Sequence, residues 1–244
     1  MKLVVVIPYF YPAYIYGGPV FAAYHLCQKV AENGVNIDVI TTNLNGKEKL
    51  DVVPNVFTTQ SGFNVKYYNK CFLPFFSFKM IVGLAKDIKY ADVVHIQSIY
   101  SLSTPFALLH SYLQNKVVFL SPRGSLTPWS FKHRGFMKKL WINFLIKPFH
   151  KSIFWHATSE KEIGDIQHFF PKADIELVSD GVNFKESEIK SECKKKWKNS
   201  FYIACLGRLH KVKGYDILLE TALQIVNIFS NHLVAGVLIC ICSS

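Results

Sequence analysis

The chain has 244 residues, half of them hydrophobic, which suffices for one or two globular domains with a sizeable core. Its 28 Lys and Arg residues outnumber the 17 Asp and Glu residues, and the net charge of +11 favours polyanionic partners: sugar nucleotides, anionic lipid head groups or nucleic acid. No apolar stretch approaches the roughly eighteen residues of a membrane-spanning helix, so the composition predicts none.

Cysteine usage and the N-terminus bear on the compartment. The six cysteines, at positions 27, 71, 193, 205, 240 and 242, have no paired metal-ligand spacing, which favours a reducing compartment and predicts no metal site. Residues 3–7 are the only apolar run before Pro8, too short for the core of a signal peptide. We therefore expect a cytoplasmic protein that can rest on the inner face of the plasma membrane.

Apolar runs alternate with helical patterns along residues 1–183, which predicts an α/β domain with a parallel sheet. The predicted strands are residues 3–7, 35–41, 64–68, 92–96, 116–120, 153–157 and 175–178. The first predicted helix follows Gly18. The next three are residues 72–89, with a start near Pro74, 104–114 and 132–147. The last begins at the capping signal of residues 158–162 and ends at residue 170. Residues 43–62 are predicted to be a polar excursion.

Two glycines precede the first helix, in the sequence Gly17-Gly18-Pro19. Because glycine lacks a side chain, a phosphate or a sugar could approach this backbone closely. The alternative is a plain tight turn with proline at the first helical position. The residues alone leave both interpretations open.

Two further site candidates lie at the ends of predicted strands. His95 either contacts a substrate or is a hydrogen-bonded core histidine. The strand 116–120 leads into Ser-Pro-Arg-Gly-Ser, and the carboxyl ends of parallel strands face the ligand crevice of such a sheet. We therefore expect Arg123, with Gly124 beside it, where an anionic or hydroxylated substrate would lie.

Residues 132–147 form an amphipathic pattern with aromatic and basic residues. Its apolar stripe consists of Met137, Leu140, Trp141, Phe144 and Leu145. Such a helix can lie on an anionic bilayer, where each cation contributes about 1 kcal/mol. The alternative is a core-packed helix with a solvated lysine face. The candidates for a membrane surface are Lys132, Lys138, Lys139 and Lys147.

A charged segment, residues 184–200, is typical of an exposed linker, and residues 201–244 would begin a second domain. There a strand at 201–206 is followed by a basic turn and by a helix from Tyr215. A strand, turn and helix of this kind point free N–H groups and the positive end of the helix dipole at a ligand, for which phosphate is well suited. Arg208 and Lys213 could both reach one diphosphate, although a basic turn can also be a solvated loop.

The segment GRLHKVKGYDILLETA, residues 207–222, resembles the donor-binding motif of retaining glycosyltransferases of the GT-B fold, family four. The run Ser-Pro-Arg-Gly at 121–124, followed by Pro128-Trp129 and a basic helix, resembles a bacterial branch of this family that assembles surface polysaccharides. Thr-Ser-x-x-Glu at 158–162 also matches. Residues 179–183, Ser-Asp-Gly-Val-Asn, depart from the Pro-Asn-Gly-Val-Asp of the family. Other branches carry a histidine where Arg123 stands, which leaves open whether Arg123 is a catalytic contact or an acceptor clamp.

The resemblance implies a Rossmann-like N-terminal lobe on the acceptor side and a second Rossmann-like lobe that binds the nucleotide sugar. Gly17 and Gly18 would face the donor across the cleft. The implied reaction moves a sugar, with retention, from a nucleotide sugar to a glycan or lipid-linked acceptor of lipopolysaccharide or capsule. Positive groups would stabilise the departing diphosphate without a required metal or cofactor.

The second lobe has about 45 residues after the linker, whereas a Rossmann-like lobe needs roughly 100 to 200. The Glu-rich motif that the resemblance implies has no counterpart here. We therefore expect a truncated donor lobe with little or no turnover; the alternative is a non-catalytic remnant that binds a membrane or a partner. A nucleotide-dependent oxidoreductase would need Gly-x-Gly-x-x-Gly after the first strand, which is absent. Nucleic-acid binding would rest on net charge alone, so we expect none.

Overall fold

The computed structural model describes residues 1–70, 77–132, 134–181, 201–207, 211–228 and 235–241. The chain divides into two compact units, Met1–Val182 and Asn183–Ser244. The predicted linker, residues 184–200, lies outside the described residues.

The first unit is built on an eight-stranded sheet. Its strands are β1 (Lys2–Val6), β2 (Asn36–Thr42), β5 (Phe57–Gln60), β6 (Phe63–Tyr68), β7 (Val93–Gln97), β8 (Val117–Ser121), β9 (Ile153–Ala157) and β10 (Asp174–Leu177), and the short strands β3 (Leu44–Asn45) and β4 (Glu48–Lys49) pair with each other. The order across the sheet is β10-β9-β8-β7-β1-β2-β6-β5, in which only β5 runs antiparallel to its neighbour. This confirms the predicted α/β, Rossmann-like class.

Helices cover the sheet on both faces. They are α1 (Gly18–Glu32), α2 (Phe78–Ile88), α3 (Ser103–Leu113), α4 (Pro128–Phe131), α5 (Gly135–Trp141) and α6 (Glu160–Phe169). Residues Val4 and Val6 of β1 belong to the core beneath α2 and α3, whereas Val5 belongs to the core beneath α1. The uninterrupted apolar run of β1 is explained by this burial on both faces, because a strand with one solvated face would alternate.

The polar excursion predicted for residues 43–62 is wrong in part, because it contains β3, β4 and β5. Most of β5 is exposed and it lies at the edge of the sheet, paired with β6 alone. An exposed edge strand does not need an apolar face, so its polar sequence gave no strand signal. The helix predicted for 72–89 begins at Phe78, where Ser77 accepts a hydrogen bond from the backbone N–H of Met80. Its predicted start near Pro74 lies outside the described residues.

The single amphipathic helix predicted for residues 132–147 is also wrong. Arg134 has a left-handed backbone with φ of 55°, and α5 begins after it. A π-helical segment, Ile142–Ile146, and a 3-10 segment, Lys147–Ser152, continue from α5. Because a π turn holds more residues than an α turn, the buried positions shift to Ile142 and Ile146. Three residues near the start and middle of this stretch, Phe136, Met137 and Phe144, are exposed.

The second unit contains two parallel strands, β11 (Phe201–Gly207) and β12 (Ala235–Ile241). Between them in sequence lie a 3-10 turn, Lys211–Lys213, and the helix α7 (Tyr215–Ile228). This is a βαβ arrangement, as the strand, turn and helix pattern predicts.

Candidate functional site

A cleft opens in the first unit where β1, β7 and β8 end. In the sheet, β1 lies between β7 and β2, so the chain leaves β1 and β7 in opposite directions. In sheets of this kind such a switch point forms the ligand crevice. The cleft is lined by Ile7, Pro8, Tyr9, Pro19, Gln97, Ser98, Pro122, Arg123 and Ser125.

The two predicted glycines stand at the N-terminus of α1, beside Pro19 of the cleft. Gly17 has φ of 68° and ψ of −138°, a conformation that only glycine adopts readily. A Cβ at Gly18 would meet nothing within 4 Å, so space is available there. The backbone thus requires glycine at position 17, while donor contact by either glycine stays a prediction.

Arg123 lies in this cleft but is not a free cation. Its Nη1 lies 2.5 Å from both carboxylate oxygens of Asp180, and its Nη2 donates to Oε1 of Gln97 at 3.3 Å. The Arg123 side chain is 11% exposed and that of Asp180 is 42% exposed. Asp180 therefore compensates the charge of Arg123, and the contact of Arg123 with an anionic or hydroxylated substrate stays a prediction. Asp180 belongs to the segment in which the sequence departs from the family pattern.

The loop that carries Arg123 is held by Glu162, a buried residue of α6. One carboxylate oxygen of Glu162 accepts from the backbone N–H of Gly124 at 2.7 Å. The other accepts from the backbone N–H and the hydroxyl of Thr158, both at 2.8 Å. Ser159 caps α6 by accepting from the backbone N–H of Glu162. The Thr-Ser-x-x-Glu pattern thus has a structural role, since it connects the start of α6 to the loop after β8.

His95 is buried, begins a hydrogen-bond chain that runs outward to the exposed Val178, and does not line the cleft. Its Nε2 lies 2.7 Å from Oγ of Ser121, which lies 2.7 Å from Nδ1 of His156, and Nε2 of His156 lies 2.8 Å from the carbonyl oxygen of Val178. A carbonyl only accepts, so Nε2 of His156 donates to Val178. In the neutral form of His156, Nδ1 accepts from the hydroxyl of Ser121, and Ser121 accepts from His95. The pKa of His95 is lowered to about 3, first by burial and then by the nearby His156 and Arg123.

This arrangement agrees with a hydrogen-bonded core histidine. The ring of His95 faces an apolar hollow of about 350 Å³ on the sheet. The hollow is lined by Met1, Leu3, Leu26, Val30, Val93, His95, Phe119, His156, Glu176 and Val178. The acceptor-side assignment of His95 is not supported by its position, because the adjacent strand end, Gln97, occupies the cleft instead.

One of the four lysines expected at a membrane surface is used within the fold. The ammonium of Lys138 donates to the carbonyl oxygen of Ser130 at 2.6 Å and to its hydroxyl at 2.9 Å, and it lies 5.2 Å from the ring centre of Tyr100. Partial burial lowers the pKa of Lys138. The other three, Lys132, Lys139 and Lys147, are exposed.

The donor-binding turn is only partly described. Arg208 lies outside the described residues, whereas Lys213 is exposed at the end of the 3-10 turn. Gly214 follows with φ of 65°, and α7 begins after it. Within the described ranges, no cluster of His, Cys, Asp and Glu side chains could hold a metal ion. In that same part of the chain, no helix is both long and apolar enough to cross a bilayer.

Sequence comparison places residues 16–186, well over half of the chain, within the profile described as Glycosyltransferase Family 4. No curated protein sequence matches significantly.

Solved structures share the fold at low identity. HepE of Anabaena in complex with UDP is 14% identical with a TM-score of 0.61, and the match covers 92% of this chain and 58% of that one. MurG of Acinetobacter baumannii is 12% identical with a TM-score of 0.53, over 100% and 67% of the two chains. The UDP-GlcNAc 2-epimerase of Methanocaldococcus jannaschii is 14% identical with a TM-score of 0.51, over 99% and 66%. The chain thus spans little more than half the length of the HepE chain.

Proposed function

Because this chain belongs to Glycosyltransferase Family 4, we propose that it takes part in the transfer of a sugar from a nucleotide-sugar donor to a hydroxyl group of a glycan or lipid-linked acceptor. The observation that carries the proposal is the cleft at the switch point of the sheet, in which Arg123 and Gln97 lie side by side. Because an epimerase shares the fold, the fold alone does not distinguish sugar transfer from epimerisation. Membership of Glycosyltransferase Family 4 favours transfer.

The donor in this proposal is a nucleotide sugar, and a uridine nucleotide is the first to test. HepE structures carry UDP and UDP-glucose, which supports this choice. The diphosphate is assigned to Arg208 and Lys213, because an arginine fork and a lysine point charge favour phosphate oxygens and stabilise charge on a departing diphosphate. Retention of configuration and a role in surface-polysaccharide synthesis complete the proposal, and the motifs around Arg123 and Trp129 support them.

The test is calorimetric titration of the whole chain with UDP and UDP-glucose. We expect binding, and we expect the double variant Arg208→Ala/Lys213→Ala to bind at least about tenfold more weakly, since charge-assisted hydrogen bonds are lost. Lys211→Ala is the matched control, because Lys211 is an exposed cation of the same turn. Equal loss in the control and the double variant, or no binding by the wild type, would contradict the donor assignment.

A second candidate role, attachment to an anionic membrane, is favoured by the segment from residue 128 to 147. Phe136, Met137 and Phe144 are 74%, 63% and 71% exposed. The exposed cations of the same segment are Lys132, Arg134, Lys139 and Lys147. Exposed apolar side chains among cations match a bilayer surface with anionic head groups, which the rings enter while the cations stay at the phosphates.

Sedimentation with vesicles tests this role. Wild-type protein should sediment with phosphatidylglycerol vesicles and not with phosphatidylcholine vesicles, and added salt should release it. The variant Phe136→Ser/Phe144→Ser should remain in solution. Tyr90→Ser is the control, because Tyr90 is an aromatic residue that is 71% exposed in the turn after α2. The membrane role would be excluded if the sedimented fraction depended neither on the charge of the lipid nor on the presence of Phe136 and Phe144.

A further inference from the structure

We propose that Gln97 and Asp180 make the cleft selective for uncharged sugar hydroxyls over phosphate or carboxylate groups. The inference rests on the proposed function, because it takes the cleft to be where the acceptor sugar lies. It identifies two specificity-determining residues that the sequence did not reveal.

The amide of Gln97 has a defined orientation. Arginine can only donate, so the amide atom that faces Nη2 of Arg123 at 3.3 Å is the oxygen. The amide nitrogen, with two N–H groups, is therefore directed elsewhere. Gln97 is 2% exposed, and its Nε2 has no hydrogen-bond partner among the described residues. Nε of Arg123 likewise has none in that part of the chain.

Unpaired buried donors beside a cleft call for acceptor oxygens from a ligand. Buried N–H groups in folded proteins are nearly always paired, and unpaired ones often mark sites that a ligand completes. Both Gln97 and Arg123 line the cleft. Their free donors match the lone pairs of a hydroxyl, a phosphate or a carboxylate, so geometry alone does not decide the charge of the ligand.

The charges around the cleft favour an uncharged ligand over an anionic one. Of the described residues that line the cleft, Arg123 alone is charged, and Asp180 neutralises it with both carboxylate oxygens. Among the described residues that line the cleft, an anionic group would meet no unshared cation, because Asp180 already pairs with Arg123, and this disfavours an anionic ligand. A hydroxyl can accept from the amide of Gln97 and donate to a carboxylate, so it satisfies groups of both kinds.

The site is also held rigidly. Ser98, next to Gln97, has φ of 93°, and Arg123 has φ of 54°. The backbone N–H of Ser98 donates to the carbonyl oxygen of Ser121 at 3.0 Å, and its carbonyl accepts from the hydroxyl of Thr104 at 2.7 Å. Pre-set donors of this kind discriminate well, because they cannot move to find other partners.

The experiment is an NMR titration of the whole chain with methyl glycosides of glucose, galactose, mannose and N-acetylglucosamine. The matching 6-phosphates and uronates are the anionic probes. The side-chain amide signals of Gln97, assigned by their loss in Gln97→Met, report contact. At least one neutral glycoside should shift these signals and bind at least about tenfold more tightly than its anionic counterparts.

Two kinds of variant separate the parts of the inference. Asp180→Asn frees the charge of Arg123, so it should raise the affinity for the anionic probes about tenfold or more. Gln97→Met and Gln97→Glu both remove the amide donor and should weaken the neutral glycoside about tenfold. Gln167→Met, at an exposed position of α6, should change nothing.

The outcomes are distinct from those of the nucleotide titration. Equal affinity for neutral and anionic probes, or an Asp180→Asn variant that gains nothing, would overturn the inference. So would a chain that binds UDP-glucose but no glycoside, and that result would leave the donor assignment intact. A chain that binds glycosides but no nucleotide would refute the proposed function while the selectivity of the cleft stands.

Discussion

Replacement of Glu162 by glutamine should destabilise the protein far more than its conservative nature suggests. Glu162 is 4% exposed, and its two oxygens accept three hydrogen bonds, from the backbone of Gly124 and from the backbone and hydroxyl of Thr158. Glutamine is nearly isosteric but has one oxygen and one NH₂ group. Whichever way the amide turns, it directs N–H groups at a backbone N–H that has lost its acceptor.

The variant loses at least one charge-assisted hydrogen bond and leaves one partly buried N–H group without an acceptor, which together cost about 2–4 kcal/mol. Urea unfolding measures it. Glu160→Gln is the control, because Glu160 is exposed in the first turn of the same helix. Both variants remove one negative charge near the N-terminus of α6, so the helix-dipole contribution is matched. A control loss within about 0.5 kcal/mol is expected. Similar losses in the two variants would refute the idea that Glu162 holds the Arg123 loop.

Three further predictions concern stability. His95 has a folded pKa of about 3, below its ordinary value near 6.5, so its neutral form is favoured by the fold. The stability due to His95 is present above about pH 6.5 and is lost as the pH falls toward 3, by up to about 1.4 kcal/mol per pH unit. Urea unfolding across that range measures the loss, and the His95→Gln variant should lack this contribution to the pH dependence of the unfolding free energy. Gly83→Ala should lower the melting temperature, because the new Cβ would lie 2.1 Å from the hydroxyl of Tyr68. This clash should cost about 1–3 kcal/mol, which exceeds the gain of about 1 kcal/mol from the higher helix propensity of alanine. In Gly164→Ala on α6 the new Cβ would meet nothing within 4 Å, so this variant should raise the melting temperature. Melting temperatures that shift in the same direction in both variants would contradict the packing argument. Asp87→Ala leaves Lys66, 14% exposed, without its carboxylate at 2.8 Å and should cost about 3–5 kcal/mol in urea unfolding, whereas Glu32→Ala in the exposed Lys29–Glu32 pair should cost about 0.5 kcal/mol or less.

The parts of the fold that bury both faces of a strand were predictable from sequence. Residues 3–7 are apolar because the two cores cover both faces of β1, and β1 lies within a residue of the predicted bounds. The edge strand β5 was not predictable from apolar pattern, because its exposed residues need none. The break of the 132–147 helix depends on the left-handed backbone of Arg134 and on a π turn, which no periodicity of 3.6 residues reveals.

At the candidate site, position in the strand predicted more than residue type. Arg123 follows β8 and lies in the cleft, as a residue after a parallel strand should. Gln97 ends β7 and could have been found by the same rule, but a lone glutamine in an apolar strand carries no chemical signal. Asp180 could not have been paired with Arg123 from sequence, because 57 residues separate them and only the sheet brings them together.

The acceptor-side assignment is tested most directly by a crystal structure of the chain soaked with the neutral methyl glycoside that binds most tightly. We predict a sugar hydroxyl within hydrogen-bond distance of both Nε2 of Gln97 and Nε of Arg123, with the Arg123–Asp180 pair intact. A sugar bound elsewhere on the first unit, with the cleft empty and Gln97 unchanged, would contradict it.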